Sequence, residues 1–208
     1  MAYEDPTFST SASSIPRMKV HVDLNNRDKT FFTVDEWYSP EEIKEVWKEI
    51  DFLTDFKKFK FDGATLKIDL DESYLDHNIS NILSYRYKDK LNMFADQVDR
   101  TYPEGTAEEF TKCTEIKTSL RYFHQSMGWE NHTSDDKFVS YHFLWKEPLS
   151  YEGGDLMFED RKIKSHQSRL VFFKGNYNRN ITGINFTDPK RTLGGGLYLI
   201  TTSYNAPK

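Results

Sequence analysis

The sequence predicts a mainly β fold with supporting helices, a sandwich or jelly roll carrying its helices on the outside. Three observations predict this. A capped amphipathic helical pattern begins at Ser39. A second helical pattern ends near residue 100. After Gly105 the hydrophobic period becomes two, in short runs separated by glycine-rich turns.

The elements follow in order. Residues 1–16 (MAYEDPTFSTSASSIP) are rich in Ser and Thr and are expected to form a flexible arm ahead of a single domain over 17–208. Residues 18–35 alternate in patches, consistent with an edge strand and a turn at Asn25-Asn26. The first helix, about 39–53, opens on Ser39-Pro40-Glu41-Glu42, a capping box with proline at the first helical position. There the Ser39 hydroxyl accepts from the Glu42 N–H while the Glu42 carboxylate reaches back. Ile43, Val46, Trp47 and Ile50 then share one face. The second helix, about 73–100, carries Ile79, Ile82, Leu83, Leu91, Phe94, Ala95 and Val98, and Tyr102-Pro103-Glu104-Gly105 stops it. Beyond it Ile116, Thr118, Leu120 and Tyr122 alternate with charged or polar residues. Residues 138–145, 155–158, 169–174 and 197–204 also read as short strands. Gly153-Gly154 reads as a tight connection, because glycine tolerates positive φ.

Composition narrows the function classes. With 208 residues and 15% aromatics the chain can bury one real core despite a mean hydropathy of -0.74. A formal net charge of -5 argues against a nucleic-acid scaffold. No apolar run reaches the roughly 20 residues that span a bilayer, and the N-terminus lacks the pattern of a signal peptide. Cys113, the single cysteine, closes no internal disulfide. These features predict a cytoplasmic protein. The sequons at Asn78, Asn131, Asn180 and Asn185 then read as chance. No Gly-x-Ser-x-Gly, no phosphate-binding glycine loop before a helix and no cysteine cluster is present.

One stretch carries chemistry: WENHTSDDKFVSYHFLWKEPLSYEGGDLMF, residues 129–158. A histidine is followed by carboxylates, an alternating apolar run, and Gly-Gly-Asp-Leu. That order resembles the metal-binding half of a prolyl-hydroxylase-type Fe(II)/2-oxoglutarate oxygenase. The resemblance extends over most of 30–205 and is specific around 121–175. It implies a double-stranded β-helix, Fe(II) and 2-oxoglutarate as cofactors, and a protein side chain or small molecule as substrate. It also implies a facial set of two His and one carboxylate, with open positions for cosubstrate and O₂. His132 matches the first ligand. Ser134 stands where the family has aspartate, and a one-residue shift would bring Asp135 to the metal instead.

The second ligand is expected within 176–181, where no histidine occurs and Arg179 or Asn180 takes the place. Leu197 stands where the cosubstrate arginine is expected, with Lys190 and Arg191 just before it. Three readings stay open. The first is a divergent oxygenase with His132 and Asp135 on iron and Lys190 or Arg191 on 2-oxoglutarate. The second is a pseudoenzyme that binds a ligand or partner in the jelly-roll cavity, with Arg179 paired to an acidic ligand or to Asp135. The third is a metal enzyme rearranged around His124 or His142.

Overall fold

The computed structural model describes residues 17–21, 30–56, 59–62, 65–70, 81–123, 129–159, 161–187 and 194–207, with residues 17, 18, 20, 21, 56 and 129–132 described by their backbone. The expected arm at 1–16 and the turn at Asn25-Asn26 lie outside the described residues. The chain runs through β1 (Arg17–His21), β2 (Phe31–Asp35), α1 (Pro40–Phe56), β3 (Lys60–Asp62) and β4 (Thr65–Leu70). Helices α2 (Lys90–Thr101) and α3 (Thr106–Thr111) follow. Then come β5 (Glu115–Phe123), β6 (Trp129–His132), β7 (Phe138–Leu144), β8 (Tyr151–Gly153), β9 (Leu156–Phe158) and β10 (Arg161–Ile163). The last strands are β11 (Leu170–Lys174), β12 (Arg179–Ile181), β13 (Ile184–Phe186) and β14 (Leu197–Asn205).

One antiparallel sheet has the order β1-β2-β11-β7-β14-β5-β4-β3, and a second has β10-β9-β12-β6. From β5 onward the chain alternates between them, and β8 pairs with β13 as an extension. This alternation is a double-stranded β-helix.

Strand parity divides the core in two. Phe32, Phe138, Phe172 and Tyr204 face the helices and pack against Phe94 and Phe110. Tyr141, Phe143, Phe173 and Leu199 face inward, toward Leu156, Phe158 and Ile181 of the second sheet. Strand β7 is therefore buried along its whole length, as a strand covered on both faces must be.

The capping box of α1 is present: Ser39 N donates to Glu42 Oε2 (2.7 Å) and Glu42 N to Ser39 Oγ (3.3 Å). The second helix is shorter than its apolar spacing suggests. It starts at Lys90, and 81–89 forms turns and one short 3-10 segment, while 71–80 lies outside the described residues. Leu83 N donates to Asn81 Oδ1 (2.9 Å) and Arg86 N to Ser84 Oγ (3.1 Å), local bonds that compete with the helix. Lys88 and Asp89 then sit at φ 55° and 53°, outside the helical region. Leu83 is still buried, so its spacing reports burial without helix.

Candidate functional site

Three chain segments meet at one end of the barrel. Strand β6 pairs with β12 so that His132 lies opposite Arg179. The segment after β6 folds onto the turn after β11: Ser134 N donates to Gly175 O (3.1 Å) and Gly175 N to Lys137 O (3.1 Å). Only glycine allows this approach, since a Cβ on residue 175 would stand 2.0 Å from Asp136 O. The consequence is that position 132, position 134 and position 179 converge.

Arg179 is 3% exposed. Its Nε donates to Tyr141 Oη (2.8 Å), its Nη1 to Gly175 O (2.7 Å) and Tyr177 O (3.0 Å), and its Nη2 to Ser134 Oγ (3.3 Å). The group also lies over the rings of Tyr141 (5.5 Å) and Phe173 (5.1 Å). Four of its five N–H donors are thus held by neutral acceptors. No carboxylate among the described residues ion-pairs with it.

Arg179 forms one wall of a pocket of about 180 Å³ that opens on the inward faces of β5, β14 and β4. Arg121 on β5 is 8% exposed, pairs with Asp62 (2.7 Å) and donates to Thr65 Oγ1 (3.1 Å). Tyr141 lines the same pocket and feels both guanidinium groups. Burial raises its phenol above the ordinary value, Arg179 and Arg121 pull it back, and Asp136 adds to the rise. Ser119 and Thr201 meet at 2.6 Å across β5 and β14. Asp136 accepts from Asn205 Nδ2 (2.7 Å). Four basic residues of the lining (Lys67, Lys117, Arg121, Arg179) stand against two carboxylates (Asp69, Asp136).

No protein-family model matches this sequence, and no curated protein matches it. Solved structures do. A prolyl-4-hydroxylase from Pseudomonas putida superposes with a TM-score of 0.55 at 11% identity, over 86% of this chain and 93% of that one. NgTET1 in complex with 5mC DNA gives 0.52 at 14%, over 86% and 73%. An oxidoreductase of the 2OG-Fe(II) oxygenase family from Burkholderia pseudomallei gives 0.50 at 9%, over 78% and 79%. This chain has the 2-oxoglutarate/Fe(II) oxygenase fold. At these identities the likeness is one of fold, and the site must be argued from its own residues.

On those residues the oxygenase iron does not fit. The place expected for the second histidine holds Arg179, whose guanidinium keeps its proton at any working pH and has no lone pair to give. The place two residues after His132 holds Ser134, and this side chain, not Asp135, touches Arg179; Asp135 is exposed. Among the described residues no group of three His, Cys, Asp or Glu is arranged to hold a metal.

The other sequence candidates scatter. His142 is on the opposite face of β7, stacked on Tyr38 at 4.6 Å, with no hydrogen-bond partner for Nε2. Burial first, then Lys90 and Lys88, hold it well below the ordinary histidine range, so it is neutral. His166 is at the surface. Leu197 is fully buried in the inter-sheet core. Lys190, Arg191 and His124 lie outside the described residues. Arg121, Ser119 and Thr201 were not singled out by sequence. Their signal was the polar parity of β5 (Lys117, Ser119, Arg121), which reads like a solvent face.

Proposed function

We propose that this protein is a metal-independent binder of a small anion, built on the oxygenase jelly roll with a fixed guanidinium in the place of the second metal ligand. The single observation that supports this reading is Arg179, buried in register with His132 and bonded to Ser134 Oγ. A divalent ion set there would meet a permanent like charge. An anion would instead meet two guanidinium groups in a partly desolvated pocket, where charge-assisted hydrogen bonds are strong.

A divergent oxygenase is the second reading. Its support is the fold likeness to the Pseudomonas and Burkholderia proteins and the position of His132 at the end of β6. Anaerobic titration of Fe(II) into metal-stripped protein with 2-oxoglutarate separates the two. The binder gives no visible charge-transfer band and no thermal shift with any divalent metal. A saturating band overturns the reading and returns the site to oxygenase chemistry.

A further inference from the structure

The pocket's lining also speaks to the class of its ligand. This step rests on the metal-free reading above. A dicarboxylate such as 2-oxoglutarate presents two charged ends joined by methylenes, and a matching site offers apolar wall to the middle. Here Val139 is the one aliphatic residue of the lining, and the rest of the wall's apolar surface belongs to the stems, ring and methyl groups of polar side chains. The other lining residues are polar: Ser119, Thr201 and Ser203 on adjoining strands, Tyr141, the cations Arg121 and Arg179, and the carboxylates of Asp69 and Asp136. Ser119 and Thr201, already 2.6 Å apart, each keep acceptor capacity beyond the bond they share. Leaving such groups against a methylene chain wastes their hydration, whereas ligand hydroxyls replace it.

Size agrees with a compact ligand. A cavity of about 150 Å³ takes a six-membered carbon ring, so a pocket of about 180 Å³ suits a ring or short chain of similar size. Charge fixes the rest. Two of the four basic residues are already paired, Lys67 with Asp69 (2.7 Å) and Arg121 with Asp62 (2.7 Å). Lys117 and Arg179 against Asp136 still leave a wall that favours one anionic group, and Lys117 at the exposed rim adds attraction on approach.

We infer that the pocket takes a small polyhydroxylated anion, with its acidic group between Arg121 and Arg179 and its hydroxyls on Ser119, Thr201 and Ser203. The acidic group is an oxyanion; a sugar acid and a sugar phosphate both supply one.

The test is isothermal titration of the full chain, metal-stripped, with gluconate, glucose 6-phosphate, inorganic phosphate, succinate and 2-oxoglutarate. Each is run with and without Fe(II). The hydroxylated anions should bind at least about tenfold more tightly than succinate or 2-oxoglutarate, the worth of one or two hydrogen bonds. Gluconate against glucose 6-phosphate identifies the acidic group. Thr201→Val should erase most of that preference, and Arg121→Gln should weaken every anion about tenfold or more. Arg121 also pairs with Asp62, so Lys117→Gln, at the exposed rim, serves as the variant that leaves the fold alone. It should weaken binding severalfold and flatten its salt dependence. Equal affinity for succinate and the hydroxylated anions overturns the ligand class and leaves the anion pocket standing. Absence of binding by all five, or binding of 2-oxoglutarate that requires Fe(II), overturns the metal-free reading itself.

Discussion

Replacing Lys90 with methionine should stabilise the protein, and the gain should shrink as pH rises. Lys90 opens α2 and is 5% exposed, with its ammonium over the ring of Phe94 at 5.7 Å. Its neighbours on the helix side of the sheet are basic or neutral: Lys88, committed to Glu42, and His142, held neutral. Burial lowers Lys90 from 10.5 to about 7. The folded value lies below the unfolded one, so the unfolded chain binds more protons between about pH 7 and 10.5, and stability rises with pH across that window. Linkage then gives a cost of ~4 kcal/mol at pH 7, falling to ~2 kcal/mol at pH 9. Methionine keeps the stem on Phe94 and removes the ammonium. Urea unfolding of parent and Lys90→Met at both pH values measures the difference. The expected gain is ~3–4 kcal/mol at pH 7, about half that at pH 9. A gain that is the same at both values, or a loss, would refute the argument that an uncompensated buried charge resides here.

Three further outcomes are expected. Ser134→Asp combined with Arg179→His restores the family's ligand types at positions 134 and 179, opposite His132. The double variant should be stabilised by ~3 kcal/mol at a hundredfold excess of Fe(II) over Kd, which differential scanning calorimetry reads; no shift would mean the three positions do not converge as described. Gly175→Ala should cost ~2–3 kcal/mol in chemical denaturation, because its Cβ would meet Asp136 O at 2.0 Å. A cost below ~0.5 kcal/mol would contradict that close approach. Asp35→Asn should flatten the acid limb of stability. Burial alone would raise the Asp35 carboxyl, but Arg169 (2.5 and 3.0 Å) and Lys19 (3.2 Å) override it and hold it below 3.8. The stability it supplies is therefore present above that value and lost as pH falls through the folded one. An unchanged acid titration of unfolding in Asp35→Asn would sink this.

Where the sequence spoke clearly, the signal was physical and local. The capping box at Ser39 needs four residues and no tertiary context. Strands β7, β11 and β14 are five to nine residues long, enough for their apolar content to declare them. Strands β8, β10, β12 and β13 have three residues each, too few for a period to show. Leu66-Lys67-Ile68-Asp69-Leu70 also alternates, which is the period of β4. The helix expected through 81–89 failed because Asn81 and Ser84 bond locally to the backbone and turn the chain, while the apolar spacing persists for burial. Arg179 was legible because the run 169–174 and Gly175 anchor its register. Ser119, Arg121 and Thr201 were not. Strand parity separates a polar from an apolar face, but the mouth of a barrel and the open solvent look alike to it.

Arg179 in the place where the resemblance expects a histidine would change one property of the site and preserve another. An iron centre offers a positive charge together with open positions, and oxygen chemistry needs both. A guanidinium offers the charge alone. It is fixed by covalent bonds, cannot change oxidation state and has no vacancy for a ligand atom to bond. Anchoring it also demands more of the fold than an imidazole would. Gly175 O and Tyr177 O must point inward, and Ser134 must stand where a carboxylate would otherwise form a buried ion pair. A carboxylate there would neutralise the guanidinium and leave little field for an outside anion. Serine satisfies one N–H without cancelling the charge. Ser134 and Arg179 are thus consistent with each other and with an anion arriving from the pocket, whereas the permanent charge of Arg179 is not consistent with a divalent ion beside it. On the proposed reading the site has the electrostatic sign of a metal centre without its coordination chemistry, the combination that anion binding on this fold requires.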